Sequence, residues 1–267
     1  VYKCWICDST GFVDKLVFKF GSRADKTDWK RLNNTVDISE FDSLFTNSPI
    51  EPTPTQRIKL PDEFISLAND SLPLSAITAL QYLKKRGINK RDILRWKIGC
   101  CLEGEYKDRV IIPSFDLEGY CNFFIARTYI DQWPKYKNPP GAKDMIFNEL
   151  YVDWESDIVL VEGVFDAIVA GNAIPVLGST INERSNIFKT IINKASNIYI
   201  AFDADVEKKT RKFIKLLTNY NKPVYKVDTS GFDDVACMSK HEFEQRKAAA
   251  MRINTELCML KEAFNAL

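Results

Sequence analysis

Residues 157–205 read DIVLVEGVFDAIVAGNAIPVLGSTINERSNIFKTIINKASNIYIAFDAD, and this stretch decides the fold. Short apolar runs (DIVLVEG, AIPVLGST, NIYIAFDAD) alternate with segments of helical character (VFDAIVAGN, NERSNIFKTIINKA). VEKKTRKFIKLLTNY continues the pattern as a helix and KPVYKVDTS as a strand. A β-α-β-α-β-α-β order implies a parallel sheet covered by helices, because parallel strands need crossover connections. The most apolar part, residues 157–178, is interrupted by Glu162 and Asp166. A charge at the bilayer centre costs roughly 2.5–3.5 kcal/mol on insertion scales, so the segment reads as strand, helix and strand, and no membrane partner is expected.

Two of these strands end in acids, Glu162 on one and Asp203 and Asp205 on the other. In an open parallel sheet, ligands bind at the carboxyl ends of the strands. Alternation puts Asp203 and Asp205 on one side of an extended strand end. Any one of them is equally well read as a solvated turn residue, and Asp205 as the cap of the next helix. Three converging carboxylates, however, repel one another. A hard divalent cation such as Mg²⁺ relieves that repulsion and suits phosphoryl transfer.

Working outward, the 267 residues suggest two domains or one large one. With 37 Lys and Arg against 36 Asp and Glu, the net charge of +1 excludes a uniformly polybasic surface, but not a local basic track. A single histidine, His241, speaks against His-rich metal sites and a Ser-His-Asp mechanism. Seven cysteines, an odd number in mostly apolar contexts, argue against a secreted disulfide framework and for a reducing, cytoplasmic compartment. Residues 61–100 look helical, with Pro73 at a helix start and Gly87 at a helix end. RVIIPSFDLEGYCNFFIART reads as a hairpin around Asp-Leu-Glu-Gly. The segment NSPIEPTPTQ reads as an extended linker.

Upstream of the acids, Arg109, Arg127, Lys135, Lys137 and Lys143 are cations interleaved with Trp133 and Tyr136. Cations hold phosphates and aromatics stack on unpaired bases. Arg127, at a strand end, is the foremost phosphate contact, and Asn138 can hydrogen-bond a base, sugar or phosphate. The lysines read equally well as a solvated loop, with Trp133 packed on the core. A second basic run from Lys84 to Lys97, which includes Arg86, reads for the most part as the solvated faces of helices. Cys4-Trp5-Ile6-Cys7 has zinc-knuckle spacing, but tetrahedral zinc needs four ligands. A reduced CxxC without metal is the other reading. The remaining five cysteines read as core residues.

EGVFDA, LGSTI and AFDAD resemble the Toprim domain of topoisomerases, DnaG-type primases and related nucleases. The resemblance extends through YLKKRGINKRDILRWKIGC, DRVIIPSFDLEGYCNFFIART and WPKYKNPPGAKDMIFNELY, which are similar in kind and order to segments of DnaG-type and phage primases over roughly residues 80–235. One departure is Ala204, where many primases have glycine. The resemblance implies an α/β fold: a Rossmann-like Toprim sheet flanked by helices (157–238), preceded by a basic α+β primase subdomain (61–156). It implies the C-terminal half of a zinc ribbon at 1–20, with its first ligand pair upstream of Val1, a linker at 21–60 and a helical segment at 239–267. It implies primer synthesis on single-stranded DNA from ribonucleoside triphosphates, with Mg²⁺ or Mn²⁺ on Glu162, Asp203 and Asp205. Asp166, Asp233 and Asp234 would complete the acidic pocket. Arg109, Arg127, Lys135, Lys137, Asn138 and Tyr136 would hold nucleotide or template. Zn²⁺ on Cys4 and Cys7 would belong to the intact ribbon. A replicative helicase is the implied protein partner, and the host cytoplasm the location if the chain is phage or plasmid encoded. A Toprim nuclease using the same metals is the alternative, and a non-catalytic binding module the third class.

Overall fold

The computed structural model describes residues 57–141, 144–178, 181–203 and 207–253, with residues 2–3, 10–11, 17, 21–22 and 25 ahead of them. The chain divides into two units, Val1–Thr53 and Pro54–Leu267. In the first, β1 (Tyr2–Lys3) pairs antiparallel with β2 (Thr10–Gly11). Cys4 and Cys7, and with them the expected zinc half-site, lie outside the described residues.

The second unit contains two sheets. The first is antiparallel, in the order β3 (Phe64–Ser66), β4 (Gly99–Cys101), β5 (Arg109–Phe115), β6 (Cys121–Thr128). The β5–β6 hairpin forms as the sequence predicts. Its turn is held by Asp116, whose Oδ1 accepts the N–H groups of Glu118 and Tyr120 at 3.0 and 2.9 Å. Gly119 adopts φ +85°, a conformation open to glycine at little cost. Between β3 and β4 lie α1 (Ile77–Lys85) and α2 (Lys90–Arg95). Pro73 precedes a 3-10 turn that leads into α1, and Asn89 with Asp92 forms a capping box on α2.

The helical reading of 61–100 is corrected at both ends, because Phe64–Ser66 and Gly99–Cys101 are strands paired with each other. Three-residue runs carry no readable period, so pairing decides their state, β4 against the long β5 and β3 against β4. Gly99 is required at that crossing, since a Cβ would lie 2.2 Å from the Phe64 ring.

The second sheet holds β7 (Ile158–Val161), β8 (Ala173–Pro175), β9 (Ile198–Ala201) and β10 (Val224–Lys226), all parallel, in the order β10-β9-β7-β8. Helices α3 (Val164–Ala170), α4 (Asn186–Lys194) and α5 (Glu207–Asn219) make the crossovers. Every residue of β7 is buried, which is why its sequence is continuously apolar. β8 and β9 lie on opposite sides of β7, so the chain changes direction there and opens a crevice at the carboxyl ends of β7 and β9.

The segment after residue 239 is not only helical. α6 (Lys240–Ala248) is followed by β11 (Met251–Arg252), which adds antiparallel to β10. Lys240 pairs with buried Asp92 and so ties α6 to α2. The folded body also begins before residue 61, because the Ile58 N–H donates to the Cys121 carbonyl at 2.8 Å. One apolar cluster runs through both sheets, joining Leu83, Ile98 and Phe123 to Val159, Val161 and Phe165. Cys100 and Cys101 are buried as expected, but Cys237 is exposed, contrary to its reading as core. Among the described residues, no helix is long and apolar enough to cross a membrane.

Candidate active site

Glu162 is the residue immediately after β7, and Asp203 follows β9 by two positions. The two strands run in register, Val161 opposite Ala201. Their ends therefore lie side by side, and Glu162 Oε1 accepts the Asp203 N–H at 3.1 Å. Thr229, after β10, donates its hydroxyl to the Phe202 carbonyl at 3.1 Å, which brings the next loop against the same strand end.

Asp166 sits in the first turn of α3. Its Oδ2 accepts the Gly163 N–H and its Oδ1 the Ala236 N–H, both at 2.9 Å. One carboxylate thus caps the helix that starts at the acidic strand end and also anchors the 235–237 turn. Asp234 caps that turn, with its Oδ1 accepting the Cys237 N–H at 2.9 Å. Burial pushes the Asp166 carboxyl up to about 6, and the nearby carboxylates of Asp234 and Glu162 add to the shift. Asp233 is exposed. Arg246 of α6 fixes the approach to these acids, donating to the carbonyls of Asp228 and Ser230, both at 2.9 Å.

Glu162 and Asp203 are thus brought into contact, with Asp166 and Asp234 joined to them through one turn. Asp205 lies outside the described residues. Among the described residues, no three His, Cys, Asp or Glu side chains are close enough together to hold a metal ion. Two carboxylates from adjacent strand ends do fit the habit of Mg²⁺, which takes one or two protein carboxylates and completes its shell with water and phosphate oxygens.

The basic side is built on β6. Residues 135–138 run back along that strand, with Thr128 N–H to Lys135 O at 3.0 Å, Lys137 N–H to Ala126 O at 2.9 Å, and an antiparallel bridge between Arg127 and Tyr136. Asn138 locks the segment by accepting the Ala126 N–H on its Oδ1 at 3.2 Å. The Arg127 guanidinium donates to the Tyr136 hydroxyl and lies 4.9 Å from the Tyr136 ring centre and 5.4 Å from that of Phe165. Phe165 belongs to α3, beside Asp166. Lys137 meets Glu105 at 3.2 Å, and Lys135 is exposed.

Two basic residues differ from their sequence reading. Arg109 is only 2% exposed, and its guanidinium donates to the carbonyls of Pro134 (2.8 Å) and Lys135 (3.2 Å). It underpins the loop instead of facing solvent. Arg86, read as part of a solvated face, lies 4.8 Å from the Phe165 ring centre and 5.2 Å from that of Tyr82. The Tyr82–Arg86 spacing of four along a helix is the signal that could have found it. Trp133 is 84% exposed, which excludes the reading that packs it on the core.

A parallel sheet with acids at its switch point stands beside an antiparallel sheet that carries basic residues. This is the fold of the DnaG primase catalytic core. The structure is similar to a DnaG primase catalytic domain bound to single-stranded DNA, with a TM-score of 0.59 and 19% identity over 67% of this chain and 74% of that one. It is also similar to the Aquifex aeolicus primase comprising zinc-binding and RNA polymerase domains, with a TM-score of 0.57 and 22% identity over 66% and 56% of the two chains. In sequence, the chain is 28% identical over 155 residues to a DNA primase of Staphylococcus epidermidis, which is 52% of this chain and 26% of that protein. The chain therefore matches about a quarter of the length of that relative. No family model matches.

Proposed function

We propose that this chain carries the catalytic core of a DNA primase, which makes short RNA primers on single-stranded DNA from ribonucleoside triphosphates. The observation that supports this best is the Glu162–Asp203 contact at the switch point, with Arg127 and Arg86 reaching the same region through Phe165. In the reaction, the 3′ hydroxyl of one nucleotide attacks the α-phosphate of the next. A new P–O bond forms, the bond to the β-phosphate breaks, and pyrophosphate leaves while the hydroxyl proton passes to solvent. Mg²⁺ or Mn²⁺ on Glu162, Asp203 and Asp205 would favour the ionised hydroxyl and neutralise charge on the leaving group. Glu162 is oriented for this role by the Asp203 N–H. Asp166 and Asp234 hold the acidic turn in place, and Asp233 adds negative charge at its exposed edge. Lys135, Arg127 and Tyr136 face the template or triphosphate. Lys137 and Asn138 keep that segment on β6, and Arg109 supports its loop from beneath.

An intact zinc ribbon, with Cys4 and Cys7 among the four ligands of its Zn²⁺, would read the template. The resemblance to a primase with a zinc-binding domain supports this. A replicative helicase is the proposed protein partner, and the cytoplasm, or the host cytoplasm for a phage-encoded chain, the proposed location. The test uses labelled ribonucleotides on single-stranded DNA with Mg²⁺ or Mn²⁺. Wild type is expected to yield short RNA, and Asp203→Asn is expected to abolish it while keeping template binding and the far-ultraviolet circular dichroism. Template cleavage by wild type without RNA product would instead establish a nuclease.

A further inference from the structure

Trp133 is the most solvent-exposed aromatic side chain among the described residues, at 84%. Tryptophan is among the most buried residue types on average, so a described tryptophan standing this far into solvent calls for a ligand. Its loop is firmly held. One arm continues from β6, and the other is pinned by the Thr128–Lys135 and Lys137–Ala126 hydrogen bonds. The turn between them rests on the buried Arg109, which takes the Pro134 and Lys135 carbonyls. A residue presented on a fixed loop loses little conformational freedom on binding, which favours its use as a contact.

The surroundings indicate what it contacts. Tyr136, three positions on, accepts a hydrogen bond from Arg127, which in turn reaches Phe165, three positions after Glu162. At most about 3.6 Å per residue, Trp133 stands within about 11 Å of Tyr136 along the backbone. Lys135 is exposed between them. An indole two positions from an exposed lysine and three from the Tyr136–Arg127 pair is an arrangement that holds an unpaired base on its face and the adjoining phosphate on its neighbours.

We propose that Trp133 is a stacking residue that takes one unpaired template base beside the Arg127–Tyr136 pair. This rests on the primase reading of the site and adds a base contact to it. The experiment measures binding of a fluorescent oligo(dT) and of an abasic oligonucleotide of equal length, by anisotropy, to wild type, Trp133→Ala, Trp133→Phe and Arg127→Ala. Trp133→Ala is expected to weaken oligo(dT) binding about tenfold or more, as expected for loss of one base–aromatic stack. Trp133→Phe should recover most of that loss. Binding of the abasic strand should be unchanged by Trp133→Ala, while Arg127→Ala weakens both strands. Oligo(dT) binding by Trp133→Ala equal to wild type, with Arg127→Ala still defective, overturns the stacking role and leaves the proposed function standing. Equal losses on both strands also overturn it, because the contact would then be to the backbone. Failure of wild type to bind either strand overturns the site reading and the stacking role together.

Discussion

Replacing Arg109 by methionine separates two roles that the sequence alone cannot tell apart. The guanidinium is buried and donates to two carbonyls, Pro134 at 2.8 Å and Lys135 at 3.2 Å. Methionine keeps much of the stem packing and removes both bonds. Lys135 O retains the Thr128 N–H at 3.0 Å, whereas Pro134 O loses the charged donor. Hydrogen bonds to charged groups contribute about 1.5–3 kcal/mol each, and the lower figure applies to acceptors on the exposed residues Pro134 and Lys135. Arg109→Met is therefore expected to cost about 3 kcal/mol. At ~2–4 °C per kcal/mol for a domain of this size, the melting temperature falls by roughly 6–12 °C. If the loop opens and lets water reach the carbonyl, the loss in melting temperature is smaller, and the Thr128 and Lys137 amides exchange faster instead. Arg109→Lys, with a compact ammonium in place of a planar fork, should fall between. Thermal unfolding and hydrogen exchange of these variants are the assays. Unchanged melting and exchange, combined with lost binding of single-stranded DNA, would refute the structural role and return Arg109 to direct phosphate contact.

Two further predictions concern the acidic turn. Burial raises the Asp166 carboxyl to about 6, above its unfolded value, so its favourable contribution is complete below about pH 4 and is lost as pH rises through about 6. At ~1.4 kcal/mol per pK unit this amounts to about 3 kcal/mol. Urea unfolding in EDTA at pH 5 and 7.5 should show a steeper loss of stability in wild type than in Asp166→Asn, which cannot ionise; equal slopes would remove Asp166 as the source. Arg246→Ala releases the Asp228 and Ser230 carbonyls and should raise the Mg²⁺ concentration needed for half-maximal primer synthesis, with partial rescue by Arg246→Lys. An unchanged Mg²⁺ requirement would disconnect α6 from the acidic site.

What was legible in the sequence follows from how each element is stabilised. β7 and β9 are buried strands of a parallel sheet, so their apolar runs and terminal acids stand out, and Glu162 and Asp203 could be paired before any coordinates. β3 and β4 are three residues each, and neither their pairing with each other across the two intervening helices nor that of β4 with β5 left a local trace. Arg109 opens a strand that is buried almost throughout, RVIIPSF. A cation there must find acceptors, but nothing local says that they are carbonyls 25 and 26 positions away. Arg127 differs because its strand ends where Tyr136 returns beside it.

The position of Phe165 explains why acids and cations that lie far apart in sequence can act as one site. Its ring is buried, at 5% exposure, and packs edge-on to Tyr82 at 6.4 Å. Arg86 from the end of α1 and Arg127 from the end of β6 each place a guanidinium within 5.4 Å of that ring. Desolvated cation–π contacts contribute about 2 kcal/mol or more, against about 0.5–1 kcal/mol at exposed sites, so these partly buried pairs hold the two sheets in a fixed relation. The adjacent Asp166 caps α3 and anchors the 235–237 turn. One turn of helix therefore joins Glu162, the acidic turn and both arginines. A shift of α3 by even 1 Å would move Asp166 and both arginine contacts together, so the proposed phosphate contacts would keep their relation to the acidic turn.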